Sequence, residues 1–327
     1  MNILITGAGS PTTWGTCQSL PGHNLIGTDI REVSYPWLQK CYQVPRPDSP
    51  DFLSAMLGIC MGERIDVVLP QVEDELPLWS MHKEAFRDAG VRVCVCDWRR
   101  WQNLDKFSIL EFCRQGKIDC VGRFQGVKDV SEFHPVLWSF GLPLVVKSLS
   151  ESGGRGTRIV KHIGWDDCFG SKPGPEISLD DFTRVLYQRP SAFVVTEYYP
   201  GTEYTVDCLC NKGEMLACIP RRRDVVRSGI TFEGETVEHK EIIEYCRRIV
   251  EGLKLEYIIG FQFKEDKDGR PRLLECNPRV QGTTILSTLA GANIIEGAVQ
   301  LAKYNKAEKL TPRWGVKMRR YWGCSVS

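Results

Sequence analysis

"GFQFKEDKDGRPRLLECNPRVQG", residues 260–282, decides how this chain is read. Two apolar runs flank Asp268–Gly269, a dipeptide favoured in two-residue hairpin turns because type I′ turns need positive φ at both central positions. With that turn, Lys267 faces Arg270, and counting back along both strands sets Gln262 directly across from Glu275. Opposed residues have Cβ atoms about 5 Å apart. Asn277 leaves the same face roughly 6.5 Å further along. Glu275, Asn277 and Arg279 also alternate, so all three point the same way from one strand end. A solvated strand face is the plain alternative, and the rest of the chain has to decide.

The hairpin gathers one carboxylate and two amide oxygens, all hard donors. Magnesium suits them: it binds through one or two carboxylates plus phosphate oxygens and keeps several waters. So sparse a protein shell is adequate only where phosphates complete it, and the cluster therefore predicts a nucleotide.

Composition narrows the class. The 327 residues are 42% hydrophobic and 25% charged, which is ordinary for a globular protein of two or three modules. The net charge of +1, with acids and bases interspersed, leaves no electrostatic footprint for nucleic acid or an anionic membrane. No apolar run approaches the length that spans a bilayer. MNILITGAG at the N-terminus reads as a strand and glycine turn without a basic n-region, so a cytoplasmic location is the expectation. Fourteen cysteines show no CxxC spacing and no nearby histidines; they read as buried, small, apolar side chains.

The first hundred residues alternate strand and helix. NILITGAG, NLIGTDI, IDVVLP and VRVCVC read as strands, with helices near 13, over 51–62 and over 74–89. That alternation implies a parallel, doubly wound sheet. The turn GAGSPTTWG lacks the GxGxxG spacing, which makes a nicotinamide site a distant reading. Further along, DKFSILEFCRQG is a helix stopped by Gly116, LVVK (144–147) a strand, and 164–181 a loop ahead of the helix DDFTRVLYQ. FVVTEYY and TVDCLCN are strands, 238–252 is an amphipathic helix, and a last helix covers 291–304 before a basic, tryptophan-bearing tail.

Beside Lys147 lies the glycine-rich loop 150–156, whose N–H groups could cradle phosphates while the lysine supplies a point charge. As a bare loop it reads equally as a strand connection. VVTEYYPGTEYTVD sets Glu197 and Glu203 around a Pro-Gly bend, where one acid could accept from a purine amino group and the other bridge ribose hydroxyls. Taken alone, that is a polar loop.

In this order the pieces are specific. DK at 105–106, VVK with its glycine loop at 144–156, TEYYPGTEYTVD at 196–207 and GFQF…LLECNPR at 260–279 together resemble the ATP-grasp superfamily. Within it, the chain resembles stand-alone relatives of the carbamoyl-phosphate synthetase large subunit, which are carboxylate–amine ligases. The resemblance implies an α/β and α+β architecture: a Rossmann-like pre-ATP-grasp domain over 1–97, followed by a two-lobed ATP-grasp module over 98–305. A lid subdomain at about 140–195 and a C-terminal tail over 306–327 complete the division.

By that resemblance Lys106 and Lys147 contact ATP phosphates, and Ser152, Gly153 and Gly154 close over them. Glu197 with the backbone of Tyr198 and Tyr199 binds adenine, and Glu203 binds the ribose. Gln262, Glu275 and Asn277 hold magnesium, with manganese as the alternative ion. Arg279 faces the γ-phosphate and the acyl phosphate that forms, sharing the catalytic role with Lys147. Substrate contacts are assigned to Arg223 and Arg227 in the basic run 219–231, to Asp207, and to Glu75 after VVLPQ. The expected reaction activates a small-molecule carboxylate with ATP and joins it to an amine, an amino acid ligase being one form. An ATP-binding regulatory or partner-dependent subunit is the alternative, and a homodimer is a family expectation.

Overall fold

The computed structural model describes residues 1–149, 156–163, 175–227 and 229–321. They fall into two compact units: Met1–Leu104, Glu203–Phe263 and Cys276 onward form unit 1, and Asp105–Thr202 with Lys264–Glu275 form unit 2.

Unit 1 opens with a parallel sheet. Strands β1 (Asn2–Thr6), β2 (Asn24–Asp29), β3 (Lys40–Gln43), β4 (Val67–Leu69) and β5 (Arg92–Val93) lie in the order β3-β2-β1-β4-β5. Between them run α1 (Thr13–Gln18), α2 (Phe52–Gly62), a 3₁₀ turn at Glu73–Glu75, α3 (Leu76–Asp88) and α4 (Trp98–Trp101). Ile3, Leu4 and Ile5 on the central strand are fully buried, as expected where both faces of a parallel sheet are covered. The expected doubly wound topology is present. Strand β3, sequence KCYQ, was not expected: it is a short edge strand without a fully buried residue, so it carries no apolar run.

Unit 2 holds α5 (Ser108–Gln115), β6 (Phe124–Val127), α6 (Val130–Phe140), β7 (Leu144–Ser148), β8 (Thr157–Lys161), β9 (Glu176–Ser178), α7 (Leu179–Gln188) and β10 (Phe193–Glu197). Its strands are ordered β6-β10-β7-β8-β9. Gly116 caps α5 as expected. Of the loop expected over 164–181, residues 164–174 lie outside the described residues; the rest holds β9 and the start of α7, which Ser178 caps by accepting from the Asp181 N–H. Alternate residues Leu144 and Val146 of β7, with Val195 of β10, enter a core with Phe133, Phe182 and Leu186. Lys147 therefore leaves β7 on the opposite face.

The chain then adds β11 (Glu203–Asn211), β12 (Glu214–Arg227), β13 (Ile230–Thr236), α8 (Lys240–Leu253), β14 (Tyr257–Glu265), β15 (Pro271–Asn277), α9 (Ile285–Leu289), α10 (Ile294–Tyr304) and β16 (Lys317–Arg319). These strands form a sheet ordered β15-β14-β11-β12-β13-β16. Lys212 and Gly213 join β11 to β12 with φ of 49° and 101°, both in the left-handed region that a two-residue turn requires.

The β14–β15 turn departs from expectation. Asp266 N donates to Arg270 O at 2.9 Å, and Gly269, at φ 77°, donates to Asp266 O at 3.1 Å. Three residues, Lys267–Gly269, are thus enclosed, not two. The cause is Asp266: its Oδ1 accepts from the N–H groups of Asp268 and Arg270, and its Oδ2 from Arg272 Nε at 2.9 Å. The pairing of Lys267 with Arg270 is thereby replaced, and with it the count that set Gln262 opposite Glu275. All the described cysteines are free, and every one but Cys41 is buried.

Candidate nucleotide and substrate site

In unit 2, the two lysines singled out by sequence are both held on backbone carbonyls. Lys106 Nζ donates to Ser148 O at 2.8 Å, and Lys147 Nζ donates to Leu274 O at 2.7 Å. Leu274 directly precedes Glu275 on β15, so the Lys147 ammonium reaches the strand that carries the metal-type carboxylate. Lys147 is 6% exposed, and burial at that level is tolerable for a cation only with firm acceptors. Ser152, Gly153 and Gly154 lie outside the described residues.

Glu197 ends β10 with its carboxylate already engaged. Arg123 gives it Nε at 2.8 Å and its own backbone N–H at 3.0 Å, and the same guanidinium spans to Ser139 O. Arg123 escaped the sequence reading because 74 residues separate it from its partner. Its neighbour Gly122 carried a usable signal. A Cβ there would sit 2.6 Å from both Glu197 Oε2 and the Tyr199 hydroxyl, so only glycine lets the acid and the phenol approach. Burial pushes the Tyr199 hydroxyl up to about 12. Tyr198 is half-buried, with Lys264 Nζ 5.6 Å above its ring.

Glu203, Asp207, Arg223, Arg227, Gln262, Asn277, Arg279 and Glu75 all belong to unit 1. Glu203 accepts from Arg223 Nη1, and Arg223 also donates to Thr231 Oγ1 at 3.0 Å and Gly229 O at 2.7 Å. Arg223 is thus a structural clasp between β11 and β12–β13 in this conformation. Arg227 is exposed and stacks its guanidinium 4.9 Å over Phe232.

Asp207 is fully enclosed. Its oxygens accept from Arg221 Nη2 at 2.9 Å, Gln281 Nε2 at 3.2 Å, Thr284 Oγ1 at 3.1 Å and Ser287 Oγ at 2.6 Å. That leaves no face for a substrate. Its work is to tie β11 to the segment 281–287 that follows Arg279, aided by Arg221 donating to Thr283 O at 2.8 Å. Arg221, in the same basic run as Arg223 and Arg227, is 2% exposed.

Arg279 pairs with Glu73 at 3.3 Å and donates to Val280 O at 3.2 Å, while its buried Nε has no acceptor among the described residues. Glu73 begins the 3₁₀ turn after β4, so an acid at the carboxyl end of the first sheet meets the arginine that follows β15. Beside it, Glu75 is 4% exposed and takes the Trp79 indole N–H at 3.2 Å. Burial, with Asp29 and Asp74 adding to it, pushes the Glu75 carboxyl up to about 7. Asp29 accepts from Gly9 N–H at 2.8 Å and from Arg31. Its carboxylate therefore closes the glycine turn instead of waiting for a ribose, which disfavours a dinucleotide there.

Gln262 and Glu275 are half-buried, and Asn277 is 5% exposed. Gln262 on β14 and Asn277 on β15 belong to unit 1, and Glu275 on β15 to unit 2.

Comparison with known proteins places family matches on two stretches of the chain. A family model described as "ATP-grasp in the biosynthetic pathway with Ter operon" matches residues 189–322, and one described as "PylC-like, N-terminal domain" matches residues 3–94. The carbamoyl phosphate synthase large chain of Thermoanaerobacter pseudethanolicus is 28% identical over 145 residues, covering 41% of this chain and 13% of that one. The match thus spans a small part of that relative's length. Among solved structures, an ADP complex of N5-carboxyaminoimidazole ribonucleotide synthetase superposes with a TM-score of 0.72 at 13% identity, covering 97% of this chain and 80% of that one. An L-amino acid ligase from Bacillus licheniformis gives 0.67 at 15% identity, over 93% and 74%. At such identities the likeness is one of fold. The chain carries a PylC-like N-terminal domain followed by an ATP-grasp domain, and it resembles the large chain of carbamoyl phosphate synthase.

Proposed function

We propose that the protein is an ATP- and magnesium-dependent ligase that activates a small-molecule carboxylate and joins it to an amine, with amino acids as the first candidates for both. The observation that carries this reading is the Lys147 ammonium bonded at 2.7 Å to the carbonyl next to Glu275. It couples the strand expected to meet the phosphates with the strand expected to hold the metal. The structural neighbours, a synthetase and an amino acid ligase, support the same chemistry.

In the first step a carboxylate oxygen attacks the γ-phosphorus, and ADP leaves as the bond to its β-phosphate oxygen breaks. The amine then attacks the acyl carbon, loses a proton, and expels phosphate. Lys106 and Lys147 orient the phosphates, and the guanidinium of Arg279 faces the carboxylate and the negative charge that develops on transfer. Gln262, Glu275 and Asn277 would hold magnesium, which when bound neutralises phosphate oxygens. Glu197 and Glu203 serve the adenosine end, each steadied by an arginine. The modules 1–97 and 98–305, with a lid at about 140–195, are retained as the functional division. Substrate contact is retained for Arg227 and Glu75, and withdrawn for Asp207.

The test is ATP-dependent phosphate release, screened over pairs of amino acids, with wild type and Glu275→Gln side by side. Release that needs two added compounds and vanishes in the variant is the expected result. Tight ATP binding with no release over every pair would instead favour a regulatory or partner-dependent subunit.

A further inference from the structure

Three thiols meet inside unit 1. Cys208 on β11 lies directly opposite Cys218 on β12, and Cys246 comes from α8, which packs on β12. Their sulfurs all lie within 4.8 Å of one another. Cys208 and Cys246 are fully buried, and Cys218 is 8% exposed. Among the described residues, no other three side chains of metal-binding type converge in this way. Sequence spacing hid the group, because strand register and a distant helix bring the three together. Filling the core asks only for volume, which alanine or valine supplies; it gives no reason for three sulfurs to lie within 4.8 Å of one another.

A trigonal-pyramidal three-thiolate centre with bonds of about 2.3 Å needs sulfur–sulfur edges of roughly 3.4 Å. The observed separations reach that with side-chain shifts below an ångström. Charge then selects the occupant. Three thiolates bring three negative charges, while the rest of the buried face of α8 is Ile242, Tyr245, Ile249 and Val250. A monovalent copper would leave two negative charges there and a divalent zinc one, and uncompensated buried charge costs several kcal/mol. Zinc also wants a fourth ligand, for which an enclosed apolar site has no water to give. A trivalent ion leaves none.

We propose that Cys208, Cys218 and Cys246 form a three-thiolate binding site for a trivalent thiophilic metalloid of the arsenite class. Arsenous acid exchanges its three hydroxyls for three thiols: each S–H bond breaks, each S–As bond forms, and three waters leave. No electrons are transferred, so no oxidant or reductant is required. The bound atom ties α8 to both strands, and Cys218, 8% exposed where the other two are fully buried, is the residue of the three nearest solvent. The site is independent of the ligase reading.

The probe is arsenite itself, titrated into the full, reduced chain and followed by native mass spectrometry and thermal melting. The expected result is one tightly held arsenic per chain with three waters lost and a raised melting temperature. Cys218→Ser and Cys246→Ser should each remove the three-thiol adduct and weaken binding by at least the 10–100-fold that loss of an outer-shell metal partner costs. Cys113→Ser, outside the cluster, should leave it intact. Cys218→Ala and Cys246→Ala guard against a buried serine unfolding the chain, and arsenic-free melts verify folding. Unchanged binding in folded Cys218 and Cys246 variants would overturn the site, as would no uptake by wild type. Tighter capture of copper(I) or zinc at the same cysteines would overturn the trivalent assignment.

Discussion

Glu75 is the residue whose environment speaks most directly about pH. Its ordinary carboxyl value is 4.5 and burial lifts it to about 7 in the folded chain. The folded state therefore keeps this proton over a range where the unfolded state has lost it. Stability falls as pH rises from 4.5 to about 7 and is flat above, with a total loss on the order of 3 kcal/mol. Glu75→Gln should abolish that slope and raise stability above pH 7, read by urea unfolding across pH; a slope that persists would place the proton elsewhere. Two positions away, Glu73 holds Arg279 by a partly exposed ion pair. Under the ligase reading it competes with the incoming carboxylate. Glu73→Gln should lower the KM for the acid by up to about fivefold, the reach of a pair worth about 1 kcal/mol, with kcat little changed. Arg279→Ala should instead depress both kcat and kcat/KM in steady-state assays. The residue types at 106, 147, 262, 275, 277 and 279 were legible because each sits in an ordered run of sequence. Arg123 and Arg221 were not, because an arginine's partner is set by the fold and not by its neighbours in the chain.

Elements were legible where hydrophobic period and caps agreed. Helix α8 falls at Lys240–Leu253 against an expected 238–252, its buried side marked by Ile242, Cys246, Ile249 and Val250. The β14–β15 hairpin was placed correctly but its turn was not, since Asp266, just outside the Asp-Gly signal, rebuilt the turn through its own carboxylate. Strand β12 was the larger surprise. Its basic run was expected to supply substrate contacts, yet β12 sits between β11 and β13 and Arg221 points inward to Asp207. Removing one partner leaves the other charge buried and unpaired, which costs about 3–5 kcal/mol. Asp207→Ala should therefore lose that much stability in urea melts and loosen the segment after Arg279. The double change Asp207→Leu with Arg221→Met should recover most of it. A single variant as stable as wild type would show that the pair is not structural.

At the scale of the whole molecule, function and folding divide the chain differently. Under the ligase reading, the sequence order of motifs separates a first module, 1–97, from an ATP-grasp module whose first expected phosphate contact is Lys106. Cores follow contact instead. Ile3, Ile5, Val67 and Leu69 of the first sheet share one cluster with Leu209 and Ile219 of the last sheet and with Ile294, Ile295 and Val299 of α10. Hydrophobic patterning tells which residues are buried but not against what, so this sharing could not be read from the sequence. It has a direct consequence for fragments. A chain cut after residue 97 keeps one face of its sheet covered by Trp79, Phe52 and Phe86, and strips the other face of α10 and β11–β12. At about 25 cal/mol per Å² of apolar surface, losing several fully buried aliphatic side chains exceeds the margin by which a small domain is stable. The fragment 1–97 should then show no cooperative thermal transition and should aggregate, while the full chain melts cooperatively. Adding residues 203–321 in trans should restore protection of β1 and β4 amides from hydrogen exchange. A fragment 1–97 that melts sharply by itself would mean that its own inner face suffices, and that the shared core adds little to folding.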